Sequence, residues 1–131
     1  MKHCKIQGLA TAVPSQVISN ESFDGLLGGE RHAKRVLGMV GIQTRRWAPP
    51  GVTALDLCVA AAERLFADTG TSRGSVSGIV LVSQSGDFPA PATACLAQAR
   101  LEIPRNCLAF DVNQGCAGFP YGLALATLIA A

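Results

Sequence analysis

Residues 109–122, AFDVNQGCAGFPYG, contain the most informative change of pattern in the chain. An apolar run typical of a buried strand continues there as an apolar helix, and Cys116 lies at the junction. Gly115 and Gly118 permit a sharp turn and the close approach of a substrate. We expect the thiol on the first turn of the helix, where free N–H groups and the helix dipole favour its thiolate form. The junction therefore predicts a nucleophile on a strand-to-helix turn.

The composition is that of a single apolar domain. The chain has 131 residues, of which 49% are hydrophobic and 15% are charged. This length allows one domain with a real core and is too short for two ordinary ones. So few charges indicate that part of the apolar surface meets another domain or subunit. The net charge of +2, with no basic stripe between aromatics, argues against nucleic acid binding.

Neither a membrane span nor an export signal is recognisable in the sequence. The longest apolar stretch, residues 116–131, is interrupted by glycines and a proline, which makes it a poor span. The opening residues MKHCK are not followed by an apolar core and a cleavage site. We therefore expect a cytoplasmic protein without membrane contact.

The cysteines form no metal-binding or disulfide pattern. There are five of them, with no C-x-x-C pair and no histidine at ligand spacing: Cys4, Cys58, Cys95, Cys107 and Cys116. This spacing argues against zinc and against a disulfide framework, so no metal site is expected. The first four are interpreted as small buried hydrophobes. Cys116 differs by its place at the junction, and from position alone a catalytic role and a packing role both stay open.

Strand and helix patterns alternate along the chain. The predicted strands are residues 5–13, 78–83 and 107–112, and the predicted helices are residues 20–27, 53–68, 93–101 and 116–131. Thr53 is expected to cap the strongest helix and Gly70 to end it. The alternation predicts an α/β fold with a mainly parallel sheet and helices on both faces. Ligands of such sheets bind beyond the carboxyl ends of the strands, where Cys116 lies.

Two further features limit the interpretation. The sequence has no G-x-x-x-x-G-K and no G-x-G-x-x-G after a strand, so a phosphate-binding loop is not indicated. The last helix reaches residue 131 with no C-cap glycine and no polar tail. We therefore expect the domain to continue beyond this point.

Four segments resemble, in the same order, the N-terminal part of β-ketoacyl-acyl carrier protein synthase III, a condensing enzyme of the thiolase superfamily. They are residues 8–14 (GLATAVP), 40–46 (VGIQTRR), 88–98 (FPAPATACLAQ) and 109–122 (AFDVNQGCAGFPYG). The last is the most specific, because it matches the family's nucleophile region along its whole length. The resemblance implies a thiolase-like N-terminal domain over residues 1–131, ending before its last strand and without the C-terminal half.

The resemblance implies that Cys116 accepts an acyl group from a thioester of coenzyme A or acyl carrier protein (ACP). The acyl group is then condensed with malonyl-ACP, in fatty acid or polyketide biosynthesis. The backbone N–H of Cys116 would form half of an oxyanion hole. A histidine and an asparagine of the family's C-terminal half are not in this sequence, so the chain alone is expected at most to be acylated. No permanently bound cofactor is implied; the implied partners are ACP and a second copy of the chain.

Departures from the family pattern bear on the substrate. Arg35 replaces a tryptophan that stacks on the adenine of coenzyme A in many members, and Met39 replaces an arginine of the same site. Trp47 lies beyond that motif and is interpreted as structural. An ACP-bound donor therefore stays open beside coenzyme A. Ala90 replaces a phenylalanine that in many members crosses the dimer interface and closes the acyl pocket. A primer longer or more branched than acetyl is therefore expected, unless Phe88 refills the space.

The remaining polar positions have more modest interpretations. Arg45 and Arg46 belong either to a docking face for phosphopantetheine or acidic ACP, or to a solvated loop. Asp111 is interpreted as a structural support that accepts hydrogen bonds from neighbouring loops. Two other classes stay open beside the enzyme. One is a catalytically inactive partner subunit of a condensing enzyme, and the other is an α/β binding module with a redox-sensitive thiol.

Overall fold

The computed structural model describes residues 4–23, 25–26 and 28–130. The described residues form two compact units. The larger combines the residues up to Ala12 with those from Thr53 onward, and the smaller spans Val13–Val52. Each unit is described by itself.

The smaller unit is a two-stranded ribbon whose strands are separated in sequence by two helical segments. Strand β1 (Gln16–Ser19) pairs antiparallel with β2 (Thr44–Trp47). Between them lie a 3₁₀ helix (Asn20–Phe23) and α1 (Glu30–Val40). Helix α1 ends at Gly41, whose φ of 74° is the left-handed conformation that glycine adopts without strain. Residues 31–37, which include Arg31, Lys34 and Arg35, lie within this helix.

The helix predicted at residues 20–27 is wrong in its length. Only the single 3₁₀ turn Asn20–Phe23 forms, and residues 24 and 27 lie outside the described residues. The side chain of Asn20 does not cap a helix: its Nδ2 donates to the carbonyl of Ile42, 2.8 Å away. Asn20 therefore ties this turn to the segment that leads into β2.

The larger unit contains the predicted parallel pair of strands. Strand β3 (Gly78–Val82) pairs in parallel with β4 (Leu108–Val112). The three helices of this unit are α2 (Ala54–Thr69), α3 (Thr93–Arg100) and α4 (Gly118–Ala130). A short 3₁₀ helix (Arg73–Ser75) precedes β3. The two strands and the helices α2 and α3 match their predicted positions within one residue at each end.

Local signals explain the boundaries of α2. The carboxylate of Asp56 accepts the backbone N–H of Thr53 at 2.9 Å, which satisfies one of the groups left free before the first turn. Arg100 on α3 donates to the other oxygen of Asp56 at 2.6 Å. Gly70 ends the helix with a φ of 66°, and its N–H bonds to the carbonyl of Phe66. The cap and the stop that the sequence predicted are both confirmed.

The parallel strands carry helices on both faces. Ile79 packs on the α2–α3 side, against a cluster of buried apolar residues: Leu55, Ala97, Leu101, Ile103 and Cys107. Side chains of a strand alternate between faces, and Val80 and Val82 accordingly meet α4 on the other side. The predicted sheet covered on both faces is therefore confirmed. Within the described ranges, no helix combines the length and the apolar character needed to cross a membrane.

The strand predicted at residues 5–13 is wrong. None of the described residues 4–14 forms a strand, because a strand requires a hydrogen-bonded neighbour and β3 pairs only with β4 in the described part of the chain. Ile6 and Leu9 are 71% and 84% exposed. Gly8 nevertheless lies against α2, since a Cβ at this position would be 2.6 Å from the Thr69 methyl carbon. The segment is therefore held by packing rather than by a ladder.

Candidate active site

Cys116 lies in a turn between β4 and α4. The N–H of Gly118 donates to the carbonyl of Gly115 at 2.8 Å, which closes the turn around the cysteine. The N–H of Tyr121 donates to the carbonyl of Ala117, so Ala117 is the cap and Gly118 the first helical residue. The expectation that the thiol lies on the first turn is thus wrong, because the helix begins two residues later. Cys116 immediately precedes the cap.

Close packing fixes where this turn lies. A Cβ at Gly118 would be 2.5 Å from Val82 Cγ1, and one at Gly122 would be 2.7 Å from Val82 Cγ2. These distances are far below ordinary carbon contacts of about 3.5–4.0 Å, so the backbone of α4 touches β3 directly at its carboxyl end. Pro120 falls in the first turn of α4, where its missing N–H leaves no helical bond unmade. The start of α4 is thereby locked onto the strand beside β4.

The five thiols differ in accessibility. Cys116 and Cys4 are exposed, so the prediction of a buried Cys4 is wrong; its Sγ lies 3.7 Å from the carbonyl of Thr127. Burial raises the pKa of the Cys58 thiol and of the Cys107 thiol. Both are therefore held in the neutral form at physiological pH. Cys95 is half-buried and donates to a backbone carbonyl of β4. Cys4 and Cys116 are thus the two thiols most open to a reagent from solution.

Sequence reasoning missed Gln84. This residue follows β3, and its carboxamide lies beside the Cys116 turn: a Cβ added at Gly115 would be 3.4 Å from Gln84 Nε2. The Gln84 side chain is exposed, and no hydrogen-bond partner is found for it within residues 4–23, 25–26 and 28–130. The sequence did contain a signal for Gln84, because it is a polar residue just after a buried strand. The carboxyl ends of adjacent parallel strands meet at one edge of the sheet, which places such a residue near the end of β4.

Asp111 accepts two hydrogen bonds, as expected of a structural support. Its carboxylate oxygens accept the backbone N–H groups of Thr93, at 2.7 Å, and of Ala94, at 2.8 Å. These are the first two residues of α3. A carboxylate at a helix start pairs with free donors and with the positive end of the dipole. Asp111 therefore fastens α3 to β4 five residues before Cys116.

The two residues predicted to form the acyl pocket lie on one loop. Phe88 and Ala90 belong to the segment between β3 and α3, and both are exposed, Phe88 by 58%. A cavity of about 860 Å³ lies between β3 and α4, with Val80, Phe119 and Leu123 in its lining. Its lining includes neither Cys116 nor the two loop residues. The structure thus places Phe88 and Ala90 beyond the strand ends, and their role as pocket residues stays a prediction.

The two arginines predicted for docking bond within the smaller unit. Arg45 donates to Asn20 Oδ1 at 3.1 Å, and its guanidinium lies 4.5 Å from the ring centre of Phe23. Arg46 donates to the carbonyl of Ser15 at 3.0 Å. Trp47 lies 6.2 Å from the Phe23 ring, centre to centre, in agreement with a structural role. These contacts hold the ribbon and the 3₁₀ turn together; a docking role for either arginine is untested.

Comparison with solved structures defines the class of protein. The described fold superposes on a 3-oxoacyl-(acyl-carrier protein) synthase from Burkholderia xenovorans LB400 with a TM-score of 0.84 and 36% identity. The match covers 92% of this chain and 35% of that one. The chain therefore has the N-terminal part of a thiolase-like fold, as its sequence predicted.

Sequence relatives agree with the structural comparison. The chain is 37% identical over 123 residues to a β-ketoacyl-[acyl-carrier-protein] synthase III from Koribacter versatilis. It is 35% identical over 124 residues to the protein of the same name from Ruegeria pomeroyi. These matches cover 94% and 95% of this chain but only 36% and 38% of the relatives. No protein-family model matches the chain. Over the part that it spans, the chain is similar in sequence and fold to β-ketoacyl-[acyl-carrier-protein] synthase III.

Proposed function

We propose that the protein is a condensing enzyme of fatty acid synthesis in which Cys116 accepts an acyl group from a thioester. The observation that supports this most directly is the exposed thiol of Cys116 in a tight turn between β4 and α4. That turn lies in a fold and a sequence similar to those of β-ketoacyl-[acyl-carrier-protein] synthase III. The other exposed thiol, Cys4, lies outside the matching motifs.

The proposed transfer has a simple chemical balance. The thiolate of Cys116 attacks the carbonyl carbon of the donor thioester, and the carbonyl oxygen takes up the negative charge. Collapse of this intermediate breaks the donor's carbon–sulfur bond and releases the donor thiolate, which takes a proton from solvent. The acyl group then remains on Cys116 as a thioester. Condensation with malonyl-ACP would follow, with loss of carbon dioxide.

The backbone of the turn is suited to stabilise the negative oxygen. Within the described part of the chain, no acceptor is bonded to the N–H of Cys116. This donor is fixed by the Gly115–Gly118 hydrogen bond and the contact of Gly118 with Val82, so it needs no rearrangement during the reaction. We propose that it forms one of the two donors of an oxyanion hole. The second donor is expected from the region that the longer relatives have beyond the part matched by this chain.

The donor and the partners are part of the same proposal. We propose ACP as a partner because the names of both sequence relatives specify it. Arg35 and Met39 in place of the expected adenine-binding residues leave an ACP-bound donor open beside coenzyme A. We propose a primer longer or more branched than acetyl, because Ala90 stands where the resemblance implies a phenylalanine. A homodimer is the proposed assembly. The alternative of a catalytically inactive partner subunit is disfavoured by the open thiol of Cys116.

Mass spectrometry after incubation with acyl thioesters tests the proposal. We expect an acyl adduct on Cys116 and none in a Cys116→Ala variant. Cys4 is a matched control within the same molecule, because it is also exposed and would be modified by non-specific thiol exchange. Equal modification of both thiols, or no adduct on Cys116, would rule out the proposed nucleophile.

A comparison of two lengths tests the condensation step. The complete protein that the gene encodes is expected to form ketoacyl product from malonyl-ACP. Residues 1–131 alone are expected to accept at most the acyl group, because the family's histidine and asparagine motifs are not in this sequence. Product formation by residues 1–131 at the rate of the complete protein would contradict this expectation.

A further inference from the structure

The positive charge of the chain is concentrated in its smaller unit. Of the 11 lysines and arginines, five lie in Val13–Val52, together with only three of the nine aspartates and glutamates. The whole net charge of +2 therefore belongs to this unit, and the larger unit has equal numbers of positive and negative side chains. Charges attract over about 10 Å at moderate ionic strength. An acidic partner is therefore attracted to the smaller unit.

Helix α1 has one packed side and one side in solvent. Ala33 is buried and Val36 and Leu37 are half-buried, and at 3.6 residues per turn these three lie on one side of the helix. The residues of the opposite side are all exposed. We call them the outer face of α1: Arg31, Lys34, Arg35, Gly38 and Met39. The outer face thus presents three cations to solvent.

Two of these cations have no opposite charge beside them. Lys34 pairs with Glu30. The side chains of Arg31 and Arg35 make no ion pair and no hydrogen bond with any residue in the ranges 4–23, 25–26 and 28–130. Residues four apart on a helix have Cβ atoms about 5–6 Å apart, so the two guanidiniums leave the helix side by side. Both are therefore available to the carboxylates of a partner.

The other two arginines of the smaller unit are occupied within it. Arg45 donates to Asn20 Oδ1, and Arg46 donates to the carbonyl of Ser15. Their guanidiniums hold the ribbon together, whereas those of Arg31 and Arg35 support nothing in the described part of the chain. The contrast favours the outer face of α1 over β2 as the basic contact surface.

An apolar side chain continues the outer face beyond its cations. Met39 lies four residues after Arg35 and is 81% exposed. Methionine is flexible and polarisable, and it adapts to the apolar residues of a partner surface. Two guanidiniums followed by a thioether therefore complement a surface on which carboxylates stand beside apolar side chains.

We propose that the outer face of α1 is a docking surface for ACP, with Arg31 and Arg35 paired to carboxylates of the carrier and Met39 against an apolar residue beside them. The inference rests on the proposed function, which supplies ACP as the acidic partner. Guanidinium groups bind carboxylates in a bidentate manner. Anionic membranes are a poorer match, because their binding sites typically cluster about four to eight basic residues.

Two matched double variants test the docking surface. Arg31→Gln/Arg35→Gln removes both charges and keeps good helix formers. Arg64→Gln/Arg105→Gln is the control, because it removes two exposed positive charges from the larger unit. Both are made in the complete protein with Cys116→Ala, so that no acyl transfer occurs. Binding of fluorescently labelled, unacylated ACP is then followed by anisotropy.

We expect Arg31→Gln/Arg35→Gln to raise the Kd for ACP about tenfold at about 50 mM salt and by much less at about 500 mM, because salt screens exposed charges. The control variant should stay within about twofold of the wild type. Met39→Gln should raise the Kd about threefold at both salt concentrations. An unchanged Kd in Arg31→Gln/Arg35→Gln, or an equal rise in the control, would overturn the proposal.

Steady-state kinetics with Cys116 intact separate docking from chemistry. The KM for malonyl-ACP should rise about tenfold in Arg31→Gln/Arg35→Gln while kcat stays within about twofold. Acylation of Cys116 by butyryl-coenzyme A involves no ACP, so its rate should not change. An equal loss with butyryl-coenzyme A would assign the two arginines to the coenzyme and overturn docking of ACP. Arginine-dependent sedimentation with phosphatidylserine vesicles, at unchanged affinity for ACP, would assign the outer face to a membrane and overturn it as well.

Failure of the proposed function has a separate signature. If Cys116 takes up no acyl group from any thioester but ACP binding still depends on Arg31 and Arg35, the acyl transfer is wrong and the docking surface is retained. If Cys116 is acylated and ACP binding does not respond to the two substitutions, only the docking inference is overturned.

Discussion

Replacement of Gly118 by alanine is the sharpest test of how the Cys116 turn is held. The added methyl would lie 2.5 Å from Val82 Cγ1. Carbon atoms in contact lie about 3.5–4.0 Å apart, so the overlap is about 1–1.5 Å. Val82 cannot relieve it by rotation without loss, because β-branched side chains are stiff at χ1. The helix start, together with Cys116, must therefore move away from β3.

The expected loss of stability follows from two opposing effects. Overpacking of this kind costs about 1–3 kcal/mol. Alanine in place of glycine gains at most about 1 kcal/mol in helix propensity. We therefore expect Gly118→Ala to lower the free energy of unfolding by about 1–2 kcal/mol. Because Cys116 is two residues away, acylation should also slow by about tenfold.

Urea unfolding followed by far-UV circular dichroism measures the first effect, and Gly38→Ala supplies the control. Gly38 lies in α1 with open space around it, so the same substitution there should stabilise by about 0.5–1 kcal/mol. In the double variant Gly118→Ala/Val82→Ala the overlap is removed, and we expect a favourable coupling of about 1 kcal/mol or more. A Gly118→Ala protein as stable as the wild type, or strict additivity with Val82→Ala, would refute the argument.

Three other outcomes are expected from the structure. Brief treatment with iodoacetamide at pH 8 should modify Cys4 and Cys116 and leave Cys58 and Cys107 intact, because burial raises the pKa of the Cys58 and Cys107 thiols. Peptide mapping identifies the modified cysteines, and early labelling of Cys107 would contradict the prediction. Hydrogen bonds from Arg100 and from the Thr53 backbone hold the pKa of Asp56 below its usual range. The ionised carboxylate therefore stabilises the fold above about pH 4, and this stabilisation is lost as the pH falls through the lowered pKa. Unfolding curves of Asp56→Asn should therefore be less sensitive to acid than those of the wild type, and identical acid sensitivity would count against the interaction. Asp111→Ala should lower the free energy of unfolding by about 1–3 kcal/mol, because two backbone N–H groups at the start of α3 lose their acceptor. Thermal unfolding measures this effect. An unchanged unfolding temperature would show that the two N–H groups find another acceptor.

The elements predicted correctly are those with complete local signals. Helix α2 has a capping residue, Thr53, an apolar stripe, and a terminating glycine, Gly70. Strand β3 is a short continuous apolar run, and β4 is apolar apart from Asp111, which suits strands covered on both faces. These signals act within a few residues, so sequence alone was sufficient to place them.

The errors arose where structure depends on distant partners. The pattern of residues 5–13 suits a strand, but a strand forms only where a neighbour offers a ladder. The start of α4 was misplaced because Gly115 bonds to Gly118, an alternative to the helix that the apolar run does not reveal. Gln84 was missed because its contact with Gly115 crosses from one strand end to another. The sequence was thus sufficient to locate Cys116, but not to predict the hydrogen bond and the neighbouring residue that hold its turn.

The turn around Cys116 is held by atoms that do not belong to the cysteine side chain. The Gly115–Gly118 hydrogen bond and the contact of Gly118 with Val82 involve backbone and neighbouring residues alone. The shape of the turn is therefore set by residues other than the one that carries the reactive thiol. Exchange of the exposed thiol for a hydroxyl should change the chemistry offered at this point while altering stability by no more than about 0.5 kcal/mol. The same frame could thus acquire a different nucleophile in a single evolutionary step.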